Sequence, residues 1–466
     1  MKPVVIGGGG LAGSEAAWQL AERGIPVTLY EMRPARMTPA HKTDRLAELV
    51  CSNSLRSSTP GSASWLLKEE LRRAGSLLLR CADACRVPGG QALAVDRERF
   101  SEAVTTAIEQ HPLIQLRREE LREIASPMTL QRGVSTLIAT GPLTSDALAS
   151  RLQSLTGSAN LAFYDAISPI VDAETLNRER IFCASRYGKG GEDYLNCPLS
   201  EEEYRTFYEA LMSAETVQAH EFEDLNYFEA CLPIEELARR GFDTLRFGPM
   251  KPVGLLDPRT RRQPYAVVQL RPENLRYSSY SLVGFQNHLK FPEQKRILRM
   301  ISGLESAEFL RFGQIHRNTY INAPRLLQPD LRLRSASDVF IAGQLAGVEG
   351  YVECIATGLV AALAMAYRAK GQELAPPPRT TASGSLVHYI TRADPNNYQP
   401  ANISFDLLPP LEGVPSRIAR DRRARRERQC ARALADLERW LENVRSPLSA
   451  VRGHEALASA PRTPTD

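Results

Sequence analysis

The sequence predicts an α/β fold: a Rossmann-type dinucleotide-binding domain, discontinuous along the chain, with an inserted α+β domain. Three observations support this prediction. A strand, a glycine-rich loop and a helix follow one another at the N-terminus, a second strand–glycine–helix unit lies far downstream, and the stretch between them has a different composition. Alternating strands and helices are typical of parallel sheets covered by helices on both faces.

The N-terminal unit has the order expected of a dinucleotide site. Pro3–Gly7 is an apolar, β-branched run that predicts a buried strand. The loop Gly8–Gly13 follows, then Ser14–Arg23 with helical spacing, then a second strand, Pro26–Tyr30, that ends at Glu31. The glycines let the backbone approach a pyrophosphate at the helix N-terminus, and the acid can accept a hydrogen bond from a ribose hydroxyl. A glycine-rich turn without a ligand is the alternative.

The second glycine-rich unit begins with the predicted strand Asp338–Gln344. Gly347, Gly350 and a small-residue helix to Ala369 follow it. In two-part flavoproteins a late unit of this kind closes over the flavin and its ribityl chain, whereas NAD enzymes have no need of it. The unit therefore favours FAD as the dinucleotide, with a plain α/β unit of the same sheet as the alternative.

Between the two units, residues 183–316 are richer in Tyr, Phe, Pro and paired charges. Helices are predicted at Glu201–Ala214 and Ile234–Arg240. An insertion between two halves of one domain explains this change economically. The predicted division is 1–182 and 317–440 for the two parts of the FAD-binding domain, the second with C-terminal helices, 183–316 for the insertion and 441–466 for a flexible tail.

Composition and charge exclude several classes of protein. With 43% hydrophobic and 24% charged residues among 466, the chain is neither disordered nor collagenous. Its net charge is only +4, and the residues from Val414 onward carry 12 Arg against 7 acids, which leaves residues 1–413 close to neutral. A globally basic nucleic-acid binder is therefore excluded, and an anionic partner must be met by local basic patches.

The sequence also predicts where the protein works. Its longest near-continuous apolar run, Cys354–Ala366, is shorter than the roughly 20 residues of a spanning helix. The first residues, MKPVVIGG, predict a strand and not a signal peptide. Eight cysteines without C-x-x-C spacing favour reduced thiols. We therefore expect a cytoplasmic protein with no membrane segment, no metal and no stable protein partner.

Two cysteines stand out by their surroundings. Cys51 lies among Ser52, Asn53 and Ser54 just before Arg56, polar company that favours a thiolate. Cys231 precedes Pro233 and two glutamates that are typical of a helix first turn, and a helix N-terminus lowers the pKa of a thiol. The alternatives are an ordinary loop residue for Cys51 and a half-buried structural cysteine for Cys231.

Other polar residues carry weaker indications. The stretch Gly284–Lys290 combines aromatic, amide and imidazole groups that could hold a flat heterocycle, although the sequence favours His288 as the cap of a strand end. Arg246 and Lys251 lie among turn residues. Arg417–Arg428 holds seven Arg and two acids. Helical spacing predicts that these arginines scatter around the axis, so a solvated helix is at least as well supported as RNA contact.

At these residues the sequence resembles the folate- and FAD-dependent tRNA (uracil-5-)-methyltransferase family, TrmFO. The resemblance runs from the glycine loop to about Leu411 and is carried by long segments in one order. These include GLAGSEAAWQLA, LYEMRP, TPAHKTDRLAELVCSNSLR, FYDAISPIV, YLNCPLSEEEY, FEACLPIEELA, FGPMKPVGL, GFQNHLKF, HRNTYINAP, GQLAGVEGYVECIATGL and NYQPANISFDLLPPL. The flavoprotein that modifies the tRNA wobble uridine shares the glycine loop but not the CSNSLR or CLPIE segments.

The resemblance implies a reaction and its cofactors. A one-carbon unit from 5,10-methylenetetrahydrofolate is placed on C5 of the T-loop uridine of tRNA, and FAD reduced by NADH or NADPH supplies the electrons. The matching cofactor residues are Gly8, Gly9, Gly10, Leu11, Ala12, Gly13, Glu31, Arg33, Gly343, Gly347, Gly350 and Tyr351. The residues implied for folate or tRNA are Asn53, Lys251, His288 and Arg246, with Arg271 and Lys290 as further RNA contacts.

Cys51 and Cys231 match the two functional cysteines of the family. Because uracil C5 becomes nucleophilic only after a group adds at C6, we expect Cys231 to be that group and Cys51 to act on the flavin side, an assignment that is open to exchange. Two departures are conservative: four glycines replace a common Gly-Ala-Gly, and Ala230 replaces a glycine. An RNA-binding flavoprotein without turnover and an FAD oxidoreductase of small molecules are the rival functions.

Overall fold

The computed structural model describes residues 3–124, 134–157, 161–166, 168–188, 191–217, 232–313, 315–413, 415 and 420–457. The strands within them are β1 (Val4–Gly7), β2 (Val27–Tyr30), β3 (Ser54–Ser57), β4 (Arg86–Val87), β5 (Ala92–Val95), β6 (Ile114–Arg117), β7 (Thr136–Ile138), β8 (Leu161–Ala166), β9 (Ile170–Asp172), β10 (Phe182–Cys183), β11 (Leu195–Leu199), β12 (Ala266–Pro272), β13 (Ser279–Leu282), β14 (Phe309–Arg311), β15 (Ile315–Tyr320) and β16 (Val339–Ile341). The helices are α1 (Leu11–Ala21), α2 (Ala63–Arg73), α3 (Leu77–Ala84), α4 (Arg97–Glu109), α5 (Asp146–Thr156), α6 (Glu201–Met212), α7 (Ile234–Arg239), α8 (Thr244–Phe247), α9 (Phe291–Leu298), α10 (Ala323–Leu326), α11 (Tyr351–Arg368), α12 (Ala382–Arg392) and α13 (Arg422–Leu457).

A parallel sheet with the order β16-β7-β1-β2-β6 forms the first layer. The last strand in sequence, β16, completes an edge begun by the first strands, which is the discontinuous α/β arrangement that the sequence predicts. Helices α1 and α11 pack together beside it. Their backbones come so close that a Cβ on Gly358 would lie 2.3 Å from the Ala12 carbonyl oxygen, so only glycine fits there.

Helix α11 is the one helix of the described residues that is long and apolar enough to cross a membrane. However, 83% of it is buried inside the protein. Its small residues, such as Ala361 and Ala362, pack in the core shared with α1 and the parallel sheet. This burial is that of a core helix.

A second, six-stranded sheet has the order β10-β11-β12-β13-β9-β14 and is antiparallel. Helix α6 covers it, begun by a capping box in which Ser200 and Glu203 satisfy each other's backbone N–H groups. The sheet has a core of its own, separate from that of the first layer. Strand β9 of this sheet lies before residue 183, where the sequence predicts that the insertion begins. The domain bounds 183–316 stay a prediction.

Two smaller sheets connect these layers: β3-β5-β4, which follows the Cys51 loop, and the pair β8-β15. Helix α13 closes the fold by packing against α2, with Trp440 donating its indole N–H to the Ala375 carbonyl at 2.9 Å. It runs past residue 441, where the sequence predicts a tail, and ends at Leu457.

Candidate functional site

The glycine loop lies between β1 and α1 and is shaped by close backbone contacts. Gly8 has a φ of +100°, and a Cβ there would lie 2.5 Å from the Ala139 carbonyl oxygen. A Cβ on Gly13 would lie 1.9 Å from the Gly8 carbonyl oxygen. Gly10, the N-cap of α1, instead faces open space, with no described atom within 4 Å of its ideal Cβ position. The loop therefore holds itself together at two glycines and leaves room for a ligand at the third.

Glu31 follows β2 and faces this loop. Its Oε2 accepts the N–H of Gly9 at 3.0 Å, and its Oε1 accepts the N–H and Nε–H of Arg33 at 3.1 and 2.9 Å. Burial opposes ionisation, but the hydrogen bonds and charge of Arg33 outweigh it and lower the pKa of Glu31. Arg33 also pairs with Glu48 at 3.1 Å, so it holds the carboxylate in place. Glu31 is thus an anchored hydrogen-bond acceptor.

A first cleft of about 1050 Å³ opens at the carboxyl ends of the parallel strands, which is the usual ligand position in such sheets. We call it the dinucleotide cleft. The predicted residues among its lining are Gly8, Gly10, Leu11, Ala12, Glu31, Arg33, Gly343 and Tyr351. His41, which the sequence does not single out, lines it too, and burial together with the charge of Arg33 lowers its pKa to about 4. The ring is therefore neutral at pH 7.

The three downstream glycines have different surroundings. Gly343 lines the dinucleotide cleft, and a Cβ there would lie 3.1 Å from that of Ala12. Gly347 packs against Tyr398, whose hydroxyl oxygen would be 2.1 Å from a Cβ. Gly350 caps α11 with a φ of +122° and lines a second cleft. Only Gly343 thus faces the dinucleotide cleft, whereas Gly347 is required by packing.

The second cleft, of about 950 Å³, surrounds Cys51, and we call it the thiol cleft. Tyr351 lines both clefts. Its phenolic oxygen accepts the backbone N–H groups of Cys51 and Ser52 at 2.8 and 3.0 Å. Burial first, and then the nearness of Cys51, raises the pKa of Tyr351, so the phenol is neutral. Tyr351 therefore fixes the Cys51 loop at the junction of the clefts.

Two half-buried arginines provide positive charge near Cys51. Arg97 donates to the Leu49 carbonyl at 2.9 Å and pairs through Nε with Glu273 at 2.6 Å. Burial lowers its pKa, but Glu273 more than compensates and the net shift is upward. A thiolate at Cys51 would interact electrostatically with both Arg97 and Arg311. The surroundings thus favour the ionised, nucleophilic form of the side chain.

Burial of the Arg311 guanidinium is offset only in part, by Tyr351, Cys51 and Glu48. Burial, followed by the like charge of Arg97, lowers its pKa. Its guanidinium donates to the Ala40 carbonyl at 3.4 Å, a long contact. An ionised Cys51 would offset the repulsion between the two guanidiniums. Neither arginine carries a local sequence indication, since they lie on α4 and on β14 of the second sheet.

Asn53 joins the Cys51 loop to the second sheet. Its Nδ2 donates to the carbonyls of Val95 and Pro272 at 3.1 and 2.9 Å, and its Oδ1 accepts from Nε of Arg271 at 2.7 Å. Arg271 lines the thiol cleft. Since the Asn53 amide is committed to these bonds, its evident part is to position Arg271 and the loop. A substrate contact for Asn53 stays a prediction.

The other predicted substrate residues lie elsewhere. His288 is buried, with Nδ1 2.7 Å from Oε1 of Glu235. Arg246 donates to the Tyr265 carbonyl at 3.0 Å and lies 3.6 Å above the Tyr265 ring. The Lys251 carbonyl accepts from Arg186. None of the three is among the described residues lining the two clefts, so their contact with substrate stays a prediction.

Cys231 lies outside the described residues. The described chain resumes at Leu232, and Pro233 is the N-cap of α7, with Glu235 and Glu236 in its first turn. The N–H of Ile234 donates to the Gln286 carbonyl at 2.8 Å. Gln286 lines the thiol cleft. Three residues of chain, at most about 11 Å when extended, separate Cys231 from that hydrogen bond.

Comparison with known proteins relates this site to a family. A family model described as "Glucose inhibited division protein A" matches residues 3–373. A protein of Solibacter usitatus is 60% identical over 444 residues, 94% of this chain and 98% of that protein. One from Geobacter sulfurreducens is 56% identical, covering 95% and 99% of the two chains. Both are named "Methylenetetrahydrofolate--tRNA-(uracil-5-)-methyltransferase TrmFO".

Solved structures support the fold. Two crystal forms of Aquifex aeolicus GidA superpose with TM-scores of 0.67 and 0.66 at 16% and 17% identity. The alignments cover 100% and 94% of this chain and 79% and 76% of the GidA chain. At this identity the likeness shows the shared fold, and the chemistry must be argued from the site itself.

Proposed function

The chain belongs to the glucose inhibited division protein A family and, by its identity to curated members, to the TrmFO methyltransferases, and we propose that it methylates C5 of a tRNA uridine. The carbon donor is 5,10-methylenetetrahydrofolate and the position is the T-loop uridine. The observation that carries the proposal is Tyr351, which joins a dinucleotide cleft to a cleft built around a cysteine. A redox cofactor and a thiol are the two things this reaction needs side by side.

The dinucleotide cleft fits FAD by its own chemistry. The open space at Gly10 lies at the N-terminus of an 11-residue helix, where backbone N–H groups attract a pyrophosphate. Glu31 is held ionised and can accept from a ribose hydroxyl. Bound FAD would supply the electrons that turn a methylene on C5 into a methyl group, and NADH or NADPH would restore them. Among the chain's residues, Gly343 and Tyr351 would border the cofactor.

The protein's own part is to make uracil C5 a nucleophile. A cysteine thiolate adds to C6, and C5 then attacks the folate methylene. C5 loses its proton to a base as the bond from the methylene carbon to the folate nitrogen breaks, and the nitrogen keeps that electron pair. Two electrons and a proton then reduce the methylene to a methyl group, and the thiolate leaves C6. Reaching the uridine requires flipping it out of the tRNA, at a cost of a few kcal/mol.

The two cysteines divide this work. Cys231 is our candidate for the C6 nucleophile, supported by the family resemblance and by its short tether to Gln286 at the thiol cleft. Cys51, beside Tyr351 and two arginines, is our candidate for the residue that works next to the flavin. We further propose that the enzyme acts in the cytoplasm, without a membrane or a stable protein partner.

The test is a methylation assay with the flavin-bound enzyme. Unmodified tRNA is incubated with NADPH and 5,10-methylenetetrahydrofolate labelled in its methylene carbon, and S-adenosylmethionine serves as the control donor. We expect label in one uridine of the T-loop and none from the control donor. Label that enters only from S-adenosylmethionine would contradict the folate reaction. Flavin binding without any transfer would favour the rival FAD oxidoreductase or RNA-binding flavoprotein.

A further inference from the structure

A third cleft, which the proposed reaction does not use, lies against helix α13. It has a volume of about 1640 Å³ and runs between the start of α2, the segment 403–411 and one face of α13. We call it the basic groove. The α13 face that it uses lies beyond Leu411, outside the segments that carry the sequence resemblance but within the part of the chain that matches the curated relatives.

The face of α13 in the groove is positively charged. Arg422, Arg425, Arg426 and Gln429 line it, at the i, i+3, i+4 and i+7 positions of one helix stripe. The acid on the opposite wall is Asp406. Of the arginines that helical spacing spreads around the axis, these three share one face, whereas Arg423 and Arg428 lie outside it.

The wall opposite α13 is held in place by the helix itself. Arg432 donates to the carbonyls of Pro409 and Pro410 at 2.6 and 2.8 Å. The Arg426 guanidinium lies 5.0 Å over the ring of Phe405, within the range of a cation–π contact. The groove is therefore a preformed concave surface, which lowers the entropy cost of binding.

The basic groove and the thiol cleft share a wall. Glu353 lines the thiol cleft, and its Oε1 accepts the N–H of Ile403, which lines the groove, at 3.1 Å. The buried Lys68 ammonium donates to the Leu55 carbonyl on the cleft side and to Oγ of Ser64 on the groove side, both at 2.8 Å. A polymer lying in the groove would thus run along the outer side of a wall of the thiol cleft.

We propose that the basic groove binds the phosphodiester backbone of the RNA whose uridine enters the thiol cleft, an inference that rests on the proposed function. The planar guanidinium group of arginine can donate two parallel hydrogen bonds to two oxygens of one phosphate. Here three arginines line a concave groove next to the thiol cleft, and contacts of α13 with the opposite wall hold the groove together. A membrane surface is a poor fit to this concave shape, so RNA is the occupant we infer.

The test compares two double variants that remove the same charge from the same helix. Arg422→Ser with Arg425→Ser changes the groove face, and Arg423→Ser with Arg428→Ser changes exposed residues outside it. Binding of an unmodified tRNA transcript is measured at several salt concentrations. We expect the groove pair to weaken binding about tenfold near ~0.1 M salt and to lower the salt slope by about 2, with little effect of the control pair.

Other readouts separate this inference from the proposed function. Flavin absorbance and thermal unfolding should match the wild type in both variants, and methylation should show a raised KM for tRNA with a near-normal kcat. If the two pairs weaken tRNA binding equally, the groove assignment fails although methylation stands. The groove assignment also fails if the groove pair loses binding only to phosphatidylserine vesicles. A wild type that neither binds nor methylates tRNA overturns the proposed function itself.

Discussion

The dinucleotide cleft and the thiol cleft meet at Tyr351 yet are built in different ways. The first is made largely of backbone: the glycine loop, a helix N-terminus and one carboxylate a short way along the chain. The second is lined by side chains from several distant segments, with Cys51, Arg56 and Arg271 among them, and Arg97 and Arg311 lie close enough to Cys51 to interact with its charge. A site that binds its cofactor through the backbone is marked by a local sequence motif. A cleft built from side chains of distant segments has no such motif, and only its cysteine stands out in the sequence.

Removal of the thiols is the sharpest test of the difference between the dinucleotide cleft and the thiol cleft. Cys51→Ala and Cys231→Ala should each lower methylation by at least about 10³-fold, because a methyl group can replace neither the thiolate that adds to C6 nor the thiol that acts beside the flavin. Flavin absorbance should stay, since the backbone cleft is untouched. Cys183→Ala, at an exposed cysteine of the second sheet, is the control. Normal turnover in either active-site variant would remove that cysteine from the mechanism.

The glycine loop can be divided by a matched pair of substitutions. Gly10→Ala places a methyl group in open space, so the apoprotein should unfold at the wild-type temperature while flavin binds roughly a hundredfold more weakly. Gly13→Ala drives a Cβ into the Gly8 carbonyl and should destabilise the fold as well. Thermal scans and flavin titration separate the two. Unchanged flavin affinity in Gly10→Ala would show that the open space is not where the ligand lies.

Arg97 tests the charge beside Cys51. Arg97→Gln should slow alkylation of Cys51 by iodoacetamide at pH 7 roughly tenfold, because the thiolate loses a neighbouring cation. Alkylation is followed by mass spectrometry of the Cys51 peptide. Arg99→Gln, two residues along the same helix and exposed, is the control. Equal alkylation rates in the two variants would argue that Arg97 serves only to pair with Glu273.

The smallest effect belongs to His41 in the dinucleotide cleft. Its pKa is lowered in the fold to about 4, so between pH 6.5 and 4 the unfolded chain binds a proton that the folded chain does not. Stability should therefore fall as the pH drops through this window, by roughly 1 kcal/mol for a partly solvated ring. His41→Asn should lose that part of the decline in urea unfolding. If the stability of the wild type and that of His41→Asn decline in parallel as the pH falls, the pKa of His41 is not lowered by the fold.

Sequence reasoning reached the first cleft more fully than the second. It predicted the strands and helix around Gly8–Gly13, the place of Glu31, and helices at Glu201 and Ile234 that end one or two residues early. It did not find His41, Arg97 or Arg311, because no spacing marks an arginine that becomes close to Cys51 only in the folded chain. It assigned Arg33 to the cofactor, and Arg33 does line the dinucleotide cleft, but its guanidinium pairs with Glu31 and Glu48, so a direct contact with the cofactor stays a prediction.

The bond between Asn53 and Arg271 joins residues 218 positions apart. Contacts of such separation form late in folding, since the intervening chain must be closed into a loop first. During synthesis the Cys51 loop is therefore made long before Arg271, Glu273 and Arg311 exist to surround it. The Cys51 thiol gains its full electrostatic surroundings only once the second sheet is complete. We therefore expect Cys51 of an incompletely synthesised chain to have the reactivity of an ordinary cysteine.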